Sequence, residues 1–134
     1  MVKLSVLLPV RNAAATLPAA VGGVLPELGP SDELVAVDDG STDGSGAWLR
    51  ALARTDARVR VVPGPSRGIS AALNVGLDHC RGAFLSRMDA DDESLPGRIR
   101  ESVAALEATP ALGAVGTQVE IFRGDQPVSP NMRA

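Results

Sequence analysis

Residues 34–45 read LVAVDDGSTDGS, an apolar run followed directly by two aspartates and a segment rich in glycine, serine and threonine. The apolar run predicts a strand over Glu33–Val37 that is covered on both faces, as strands of parallel sheets are. The glycines permit tight turning, and a side chain within Ser41–Asp43 can cap a helix over Ser45–Thr55. This stretch therefore predicts a strand, a polar loop and a helix.

The same alternation continues along the chain in both directions. Four further apolar runs predict strands, at Leu4–Val10, Val59–Val62, Ala83–Met88 and Gly113–Phe122. Periodic apolar residues predict three further helices, at Ala13–Leu25, Ile69–Cys80 and Leu95–Ala108. Pro96 suits the first turn of the last helix. Strands that alternate with helices imply right-handed crossovers, so the predicted fold is α/β: a mostly parallel, doubly wound, Rossmann-like sheet with helices on both faces.

Polar loops follow three of the predicted strands, at Pro9–Asn12, Asp38–Asp43 and Asp89–Asp92. Ligands of such sheets bind at the carboxyl ends of the strands. We therefore expect these three loops to converge on one edge and to form the functional site.

The Asp89–Asp92 loop has three carboxylates within four residues, and these carboxylates repel one another. Hard divalent cations take carboxylate and phosphate oxygens, and magnesium-like ions bridge one or two carboxylates to substrate phosphates. The loop is therefore a candidate metal site. A solvated acidic loop or a helix start is the alternative, because aspartate also favours first helical turns.

Two other segments have both a structural and a functional interpretation. Capping explains the polar residues after Gly40 but not the adjacent acids Asp38 and Asp39, one of which can accept a hydrogen bond from a base N–H such as that of uracil. Arg67 precedes the third helix and can pair with a diphosphate, or it can be a surface arginine. Gly76 lies inside that helix, where close packing on the sheet is the expected reason for a glycine.

Composition excludes several classes of protein. The net charge is −3, and lysine and arginine are scattered, which argues against a nucleic-acid partner. Cys80 is the single cysteine, so no intrachain disulfide forms and no zinc site assembles with His79. No apolar run approaches the roughly 20 residues that span a bilayer. We expect a cytoplasmic chain, which could lie peripherally at the inner face of the membrane.

Taken together, these residues resemble the family 2 glycosyltransferases of the GT-A fold. Five segments carry the resemblance in the family's order: LSVLLPVRN at 4–12, LVAVDDGSTDGS at 34–45, RGISAALNVGL at 67–77, RMDADD at 87–92 and LPGRIRESVAALEATPALGAVGT at 95–117. The RMDADD form resembles the branch that decorates bacterial surface polysaccharides.

The resemblance implies roles on the nucleotide side of the site. Pro9 and Val10 match the loop that touches uracil and ribose, and Asp39 matches the acid that accepts from the uracil N–H. Arg11 stands where many relatives have an aromatic or small residue, and its guanidinium could stack on the base. Arg67 matches a basic loop position that can face the nucleotide.

The D-x-D pair carries the remaining implied roles. Asp89 matches the contact to the ribose, and Asp91 matches the ligand that holds Mn²⁺ or Mg²⁺ against the diphosphate. No catalytic residue is assigned, because in the family the base, an Asp or Glu, and most of the acceptor site come from a second half beyond residue 134.

The implied function is metal-dependent, inverting transfer of a sugar from a nucleotide-diphosphate sugar, a UDP-sugar above all, to a hydroxyl of a glycan or lipid-linked acceptor. Residues 1–122 would form the nucleotide-sugar-binding part of the GT-A domain, and 123–134 a loop or truncated tail. With its C-terminal part missing, the chain would bind the donor without completing catalysis. A nucleotidyltransferase and a non-catalytic nucleotide-binding or dimerisation module are the alternatives, and homodimer formation stays open.

Overall fold

The computed structural model of the chain describes residues 1–124 and 126–127. The chain divides into two compact units, Met1–Arg100 and Glu101–Ala134. The first unit contains the four-stranded sheet and the candidate site. Among the described residues, no helix is both long and apolar enough to cross a membrane.

The sheet of the first unit has four strands, which lie in the order β3-β2-β1-β4 and are all parallel. They are β1 (Leu4–Val10), β2 (Glu33–Asp38), β3 (Val59–Pro63) and β4 (Phe84–Arg87). The predicted α/β fold with a parallel sheet is confirmed, and each predicted end of these strands differs from the observed one by one residue at most. Strands β1 and β2 are buried almost throughout, which accounts for their continuous apolar sequence.

Four helices connect or follow these strands: α1 (Leu17–Val24), α2 (Ser45–Thr55), α3 (Ile69–His79) and α4 (Arg98–Ala108), with a short 3₁₀ turn at Leu25–Glu27. The strand order and right-handed crossovers place α1 and α2 on one face of the sheet and α3 on the other. Helix α4 starts in the first unit, and its later turns belong to the second.

The core under α3 is formed by alternate residues of three strands together with one helix residue, namely Leu7, Val35, Val37, Val62 and Ala72. Gly76 of α3 faces this core. A Cβ at Gly76 would overlap the Leu7 side chain and lie 2.8 Å from Cγ2 of Val37. The absence of a side chain therefore lets α3 approach the sheet, as the sequence predicted.

A second buried contact joins the amino ends of the strands. The Glu33 side chain at the start of β2 accepts hydrogen bonds from the Ser5 hydroxyl (2.7 Å), the Arg81 amide (2.8 Å) and the Arg81 and Arg60 guanidinium groups (2.7 and 3.2 Å). Burial raises the pKa of this carboxyl, but the hydrogen bonds from Arg81, Ser5 and Arg60 outweigh it and lower the pKa to about 2. Through these contacts Glu33 links β2 to Ser5 of β1, to Arg60 of β3 and to Arg81, which precedes β4.

Two of the predicted helices were wrong in their bounds. Helix α1 starts at Leu17 instead of Ala13, and the residues before it form a turn in which the Thr16 and Leu17 amides donate to the Ala13 carbonyl. Helix α4 starts at Arg98 instead of Leu95, because Gly97 has φ +91°, outside the helical region, so Pro96 precedes the helix.

The predicted strand Gly113–Phe122 is also wrong. Residues 113–121 are exposed and have no strand partner among the described residues, so their backbone groups are not paired in a ladder. A short antiparallel pair, β5 (Phe122–Arg123) with β6 (Gln126–Pro127), follows instead. The division into a domain over 1–122 and a tail over 123–134 stays a prediction, because residues 125 and 128–134 lie outside the described residues.

Gly76→Ala should destabilise the chain by about 1–3 kcal/mol, because the new methyl group overpacks the core at Leu7 and Val37. Gly22→Ala in α1 is the matched control: a Cβ at Gly22 has no atom within 4 Å, so the higher helix propensity of alanine should leave the stability equal or raise it by about 0.5–1 kcal/mol. Urea unfolding followed by circular dichroism measures both. Equal effects of the two substitutions would contradict the packing role of Gly76.

Glu33 should make stability depend on acidity. Its carboxyl has a pKa of about 2 in the folded chain and about 4.5 when unfolded. Its contribution is therefore complete above pH 4.5 and is lost as the pH falls towards 2, by about 3 kcal/mol. Glu33→Gln should be less stable at pH 7 and should lack this part of the acid dependence. Parallel unfolding free energies of the two proteins between pH 7 and 3 would contradict this role.

Candidate functional site

The candidate site lies where the strand order reverses. Strand β1 has β2 on one side and β4 on the other, so the loops that follow these strands meet at one edge of the sheet and enclose a crevice. A pocket of about 690 Å³ fills this crevice. It is lined by residues 9–16, Asp39, Asp43, Gly68, Ile69, Ala72 and residues 89–91.

Six of the seven residues that the sequence assigned to the site line this pocket: Pro9, Val10, Arg11, Asp39, Asp89 and Asp91. They come from the end of β1 and from the loops that follow β1, β2 and β4, which are far apart in sequence. Arg67 is exposed and is not among the lining residues, although its neighbours Gly68 and Ile69 are. The individual roles of these residues stay predictions.

Asp39 is the buried acid of the pocket, with 4% of its surface exposed. Its amide donates to the Val10 carbonyl at 2.8 Å, and its Oδ1 accepts from the Ser66 amide at 2.7 Å. A Cβ at Gly64 would lie 2.8 Å from the Asp39 Cα, so the glycine there allows the close approach of the two chain segments. No hydrogen bond from the described residues reaches Asp39 Oδ2, so this oxygen can accept from another donor.

Asp38 has a different, structural role. Its Oδ1 accepts from the Ser41 amide at 3.1 Å, and its Oδ2 lies 3.7 Å from the Arg50 guanidinium. It is not among the lining residues of the pocket. The adjacent acids, which sequence could not separate, therefore face different partners, and only Asp39 faces the pocket.

Hydrogen bonds hold the loop after β2 against the loop after β1. Asn12, in the left-handed region with φ +49°, accepts from the Thr42 amide at 2.7 Å and donates its own amide to the Ser41 hydroxyl at 3.1 Å. The Asp43 carboxylate accepts from the Ala14 amide at 3.0 Å and from the Ser45 amide at 2.9 Å, and hydrogen bonds from Ser45 and Ala14 lower its pKa. Of the residues predicted to cap α2, only Asp43 binds an amide at the start of that helix.

The acidic loop after β4 holds its carboxylates in unequal ways. Asp89 Oδ1 accepts from the Arg87 guanidinium at 2.8 Å, whereas Asp91 is exposed and receives no hydrogen bond or ion pair from the described residues. Burial raises the pKa of Asp92, and the nearby charges of Asp91 and Asp89 raise it further. The loop ends well before α4, so the helix-start interpretation is wrong.

The carboxylates fit a divalent ion only if other oxygens complete its shell. The described residues contain no group of three His, Cys, Asp or Glu side chains placed to hold a metal. Magnesium-like ions are commonly held by one or two carboxylates together with substrate phosphates, and Asp91 at the pocket wall can supply one such ligand. Burial raises the pKa of Asp92 most and repulsion from Asp91 and Asp89 adds to it, and a cation would relieve that repulsion.

One polar contact of the pocket had no signal in the sequence. The Thr16 hydroxyl donates to the Ala90 carbonyl at 2.8 Å, across 74 positions of sequence. In the sequence Thr16 is one residue of the predicted helix Ala13–Leu25. A threonine near a helix start is ordinary, so nothing in the sequence singles it out. The contact joins the loop after β1 to the loop after β4.

Known proteins are similar to this chain in sequence and in architecture. The chain is 34% identical over 105 residues to the succinoglycan biosynthesis protein ExoO of Rhizobium meliloti, covering 78% of this chain and 30% of that protein. It also spans less than half the length of other curated relatives, 37% and 44% for two glycosyltransferases of Haemophilus influenzae and Bacillus subtilis.

Two solved structures share the fold at more than 25% identity. The mannosyltransferase PcManGT of Pyrobaculum calidifontis, in complex with GDP-Man and Mn²⁺, superposes with a TM-score of 0.68 at 29% identity, over 85% of this chain and 34% of that one. Glucosyl-3-phosphoglycerate synthase of Mycobacterium tuberculosis, in complex with Mn²⁺, UDP and phosphoglyceric acid, gives 0.63 at 31% identity, over 78% of this chain and 38% of that one. These neighbours confirm the predicted GT-A fold.

The family described as Glycosyl transferase family 2 matches residues 5–134, which is nearly the whole chain. The nucleotidyltransferase alternative loses its support with this match, and the resemblance seen in the five segments is confirmed. The chain belongs to glycosyl transferase family 2.

Proposed function

We propose that this chain binds a UDP-sugar in the pocket at the reversal of strand order, as the donor part of an inverting, metal-dependent glycosyltransferase. The observation that carries the proposal is the joint position of a buried acid, Asp39, and two pocket-lining acids, Asp89 and Asp91, in one crevice. The nucleobase needs a fixed hydrogen-bond acceptor, which Asp39 offers, and the diphosphate needs a cation, which Asp91 can bind. The two ends of a nucleoside diphosphate therefore match the two ends of the site.

Asp39 would hold the base. Because the Ser66 amide occupies Oδ1, Oδ2 is the oxygen that can accept the single N–H of uracil. Pro9 and Val10 form the adjacent wall, and the exposed guanidinium of Arg11 can stack on the ring. PcManGT binds GDP-Man, and the mycobacterial synthase binds UDP, so relatives with this fold use both nucleotides. Asp39 offers one oxygen for a further donor, and uracil has a single N–H to give, so this oxygen favours uracil.

Asp89 would contact the ribose, and Asp91 would hold Mn²⁺ or Mg²⁺ against the diphosphate. The bound ion supplies charge stabilisation for the departing diphosphate. Both structural neighbours were obtained with Mn²⁺, which supports the choice of ion. Arg87 restrains Asp89 through their 2.8 Å contact and keeps its carboxylate in one orientation.

The acceptor would be a hydroxyl of a glycan or a lipid-linked glycan in surface polysaccharide synthesis, in the cytoplasm or at the inner face of the membrane. The relationship to ExoO, a succinoglycan biosynthesis protein, supports this class of product. We propose that the acids that line the pocket bind the donor and that none of them is the base that deprotonates the acceptor.

The metal role is tested by calorimetric titration of UDP with Mn²⁺ and with chelator. The wild-type chain should bind more tightly with Mn²⁺, and Asp91→Asn should abolish this difference. Asp89→Asn should weaken binding in both buffers, by roughly ten- to a hundredfold, the cost of losing a hydrogen bond to a charged group. Asp92→Asn is the control, because Asp92 carries the same charge but does not line the pocket.

Loss of the Mn²⁺ effect in Asp92→Asn to the same degree as in Asp91→Asn would show that general negative charge, and not a specific ligand, attracts the ion. Equal affinity of the folded wild-type chain in both buffers would remove the metal role. Robust sugar transfer by residues 1–134 would place the base within this chain.

The role of Asp39 is tested by base preference. In Asp39→Asn the amide oxygen should take the Ser66 N–H, which turns the NH₂ group towards the base. That group repels the uracil N–H but can donate to the corresponding nitrogen of cytosine. The wild-type chain should therefore prefer UDP over CDP by roughly ten- to a hundredfold, and the variant should reduce or reverse this preference. An unchanged preference would contradict contact between Asp39 and the base.

A further inference from the structure

Thr16 makes a contact that its position at a helix start does not explain. It is the N-cap residue of α1, where a threonine hydroxyl ordinarily accepts from an amide of the first turn. Here Thr16 has φ −106° and ψ −26°, in the helical region, and its side chain makes no cap hydrogen bond. The hydroxyl donates to the Ala90 carbonyl at 2.8 Å, and the Ala13 carbonyl is a second, more distant acceptor at 3.4 Å.

The Ala90 carbonyl lies between the two acids of the D-x-D pair, and its peptide group leads directly into Asp91. Ala90 is 7% exposed, so this carbonyl is largely withdrawn from solvent and benefits from a protein donor. Other restraints on the loop are weaker or lie elsewhere. The turn bond from the Asp92 amide to the Asp89 carbonyl is long, at 3.3 Å, and the Met88 amide binds the Leu7 carbonyl before the loop begins.

The two acids differ in what orients them. Asp89 has its own side-chain partner in Arg87, at 2.8 Å. Asp91 has no hydrogen bond or ion pair from the described residues, so the direction of its carboxylate depends on the backbone that carries it. Among the residues that the structure describes, the Thr16 hydroxyl is the side-chain group that hydrogen-bonds to this backbone.

We propose that Thr16 is a positioning residue that fixes the Ala90–Asp91 peptide and thereby aims the Asp91 carboxylate at the bound diphosphate and its cation. The proposal rests on the proposed function of the pocket. It assigns two separate tasks to the end of β1 and the segment that follows it: Pro9 to Arg11 face the nucleobase, and Thr16 supports the metal end of the site. It also predicts that the two ends can be disturbed independently.

Thr16→Val keeps the shape of the side chain and removes the donor. UDP titrations with Mn²⁺ and with chelator should show that the variant loses roughly three- to tenfold of the Mn²⁺-dependent gain in affinity, the range expected for one neutral hydrogen bond, and keeps the chelator affinity. Thr16→Ser restores the hydroxyl and should restore the gain. In the nucleotide-free, metal-free chain, NMR order parameters of the Asp91 and Asp92 amides should fall in Thr16→Val only.

Thr55→Val is the matched control, because the Thr55 hydroxyl donates to the Leu52 carbonyl at 2.9 Å at the end of α2, outside the pocket. It should change neither the Mn²⁺-dependent gain nor the order parameters. A Thr16→Val variant that keeps the full gain, or that weakens UDP equally in both buffers, overturns the positioning role alone. A wild-type chain without any Mn²⁺-dependent gain overturns this proposal together with the metal role of Asp91.

Discussion

The parallel pairing of β1 with both β2 and β4 is the constraint on which the rest of the structure depends. In this register Val10 lies beside Asp38, and Leu7 lies beside Arg87. The loops that follow β1, β2 and β4 therefore all begin at the same edge of the sheet. Because the chain crosses from β3 back to β4 on the far side of β1, the sheet has a reversal point there and a crevice follows. The site is a consequence of topology before any particular side chain is considered.

The acidic residues at the two ends of this sheet have different electrostatic surroundings. At the amino ends, Glu33 is buried and fully paired, and its low pKa reflects the hydrogen bonds that oppose its burial. At the carboxyl ends, Asp89, Asp91 and Asp92 crowd together, with Asp89 paired to Arg87, and burial and mutual repulsion raise the pKa of Asp92. The first arrangement stabilises the fold, and the second is the kind of unbalanced charge that a cation and a diphosphate can complete.

Sequence predicted the parts of the fold that local pattern controls. The buried strands β1 and β2 are continuous apolar runs, and α2 has the bounds that its amphipathic stripe and flanking glycines indicate. It failed where tertiary hydrogen bonds override local preference. The Ala13 and Ala14 amides, in a segment predicted to be helical, bind the Ser45 and Asp43 side chains, and the difference between Asp38 and Asp39 depends on partners 12 and 27 positions away. Thr16 could not be found from sequence, since its partner is a backbone carbonyl.

A crystal structure of the chain with UDP and Mn²⁺ tests the central claim most directly, because it locates both ends of the nucleotide at once. The account predicts the uracil N–H within hydrogen-bond distance of Asp39 Oδ2, with the Ser66 amide still on Oδ1. It also predicts the ion between the diphosphate and Asp91, and Thr16 still bound to the Ala90 carbonyl. A nucleotide bound outside the crevice between the loops of β1 and β4, or one bound there with its base away from Asp39, would contradict the account.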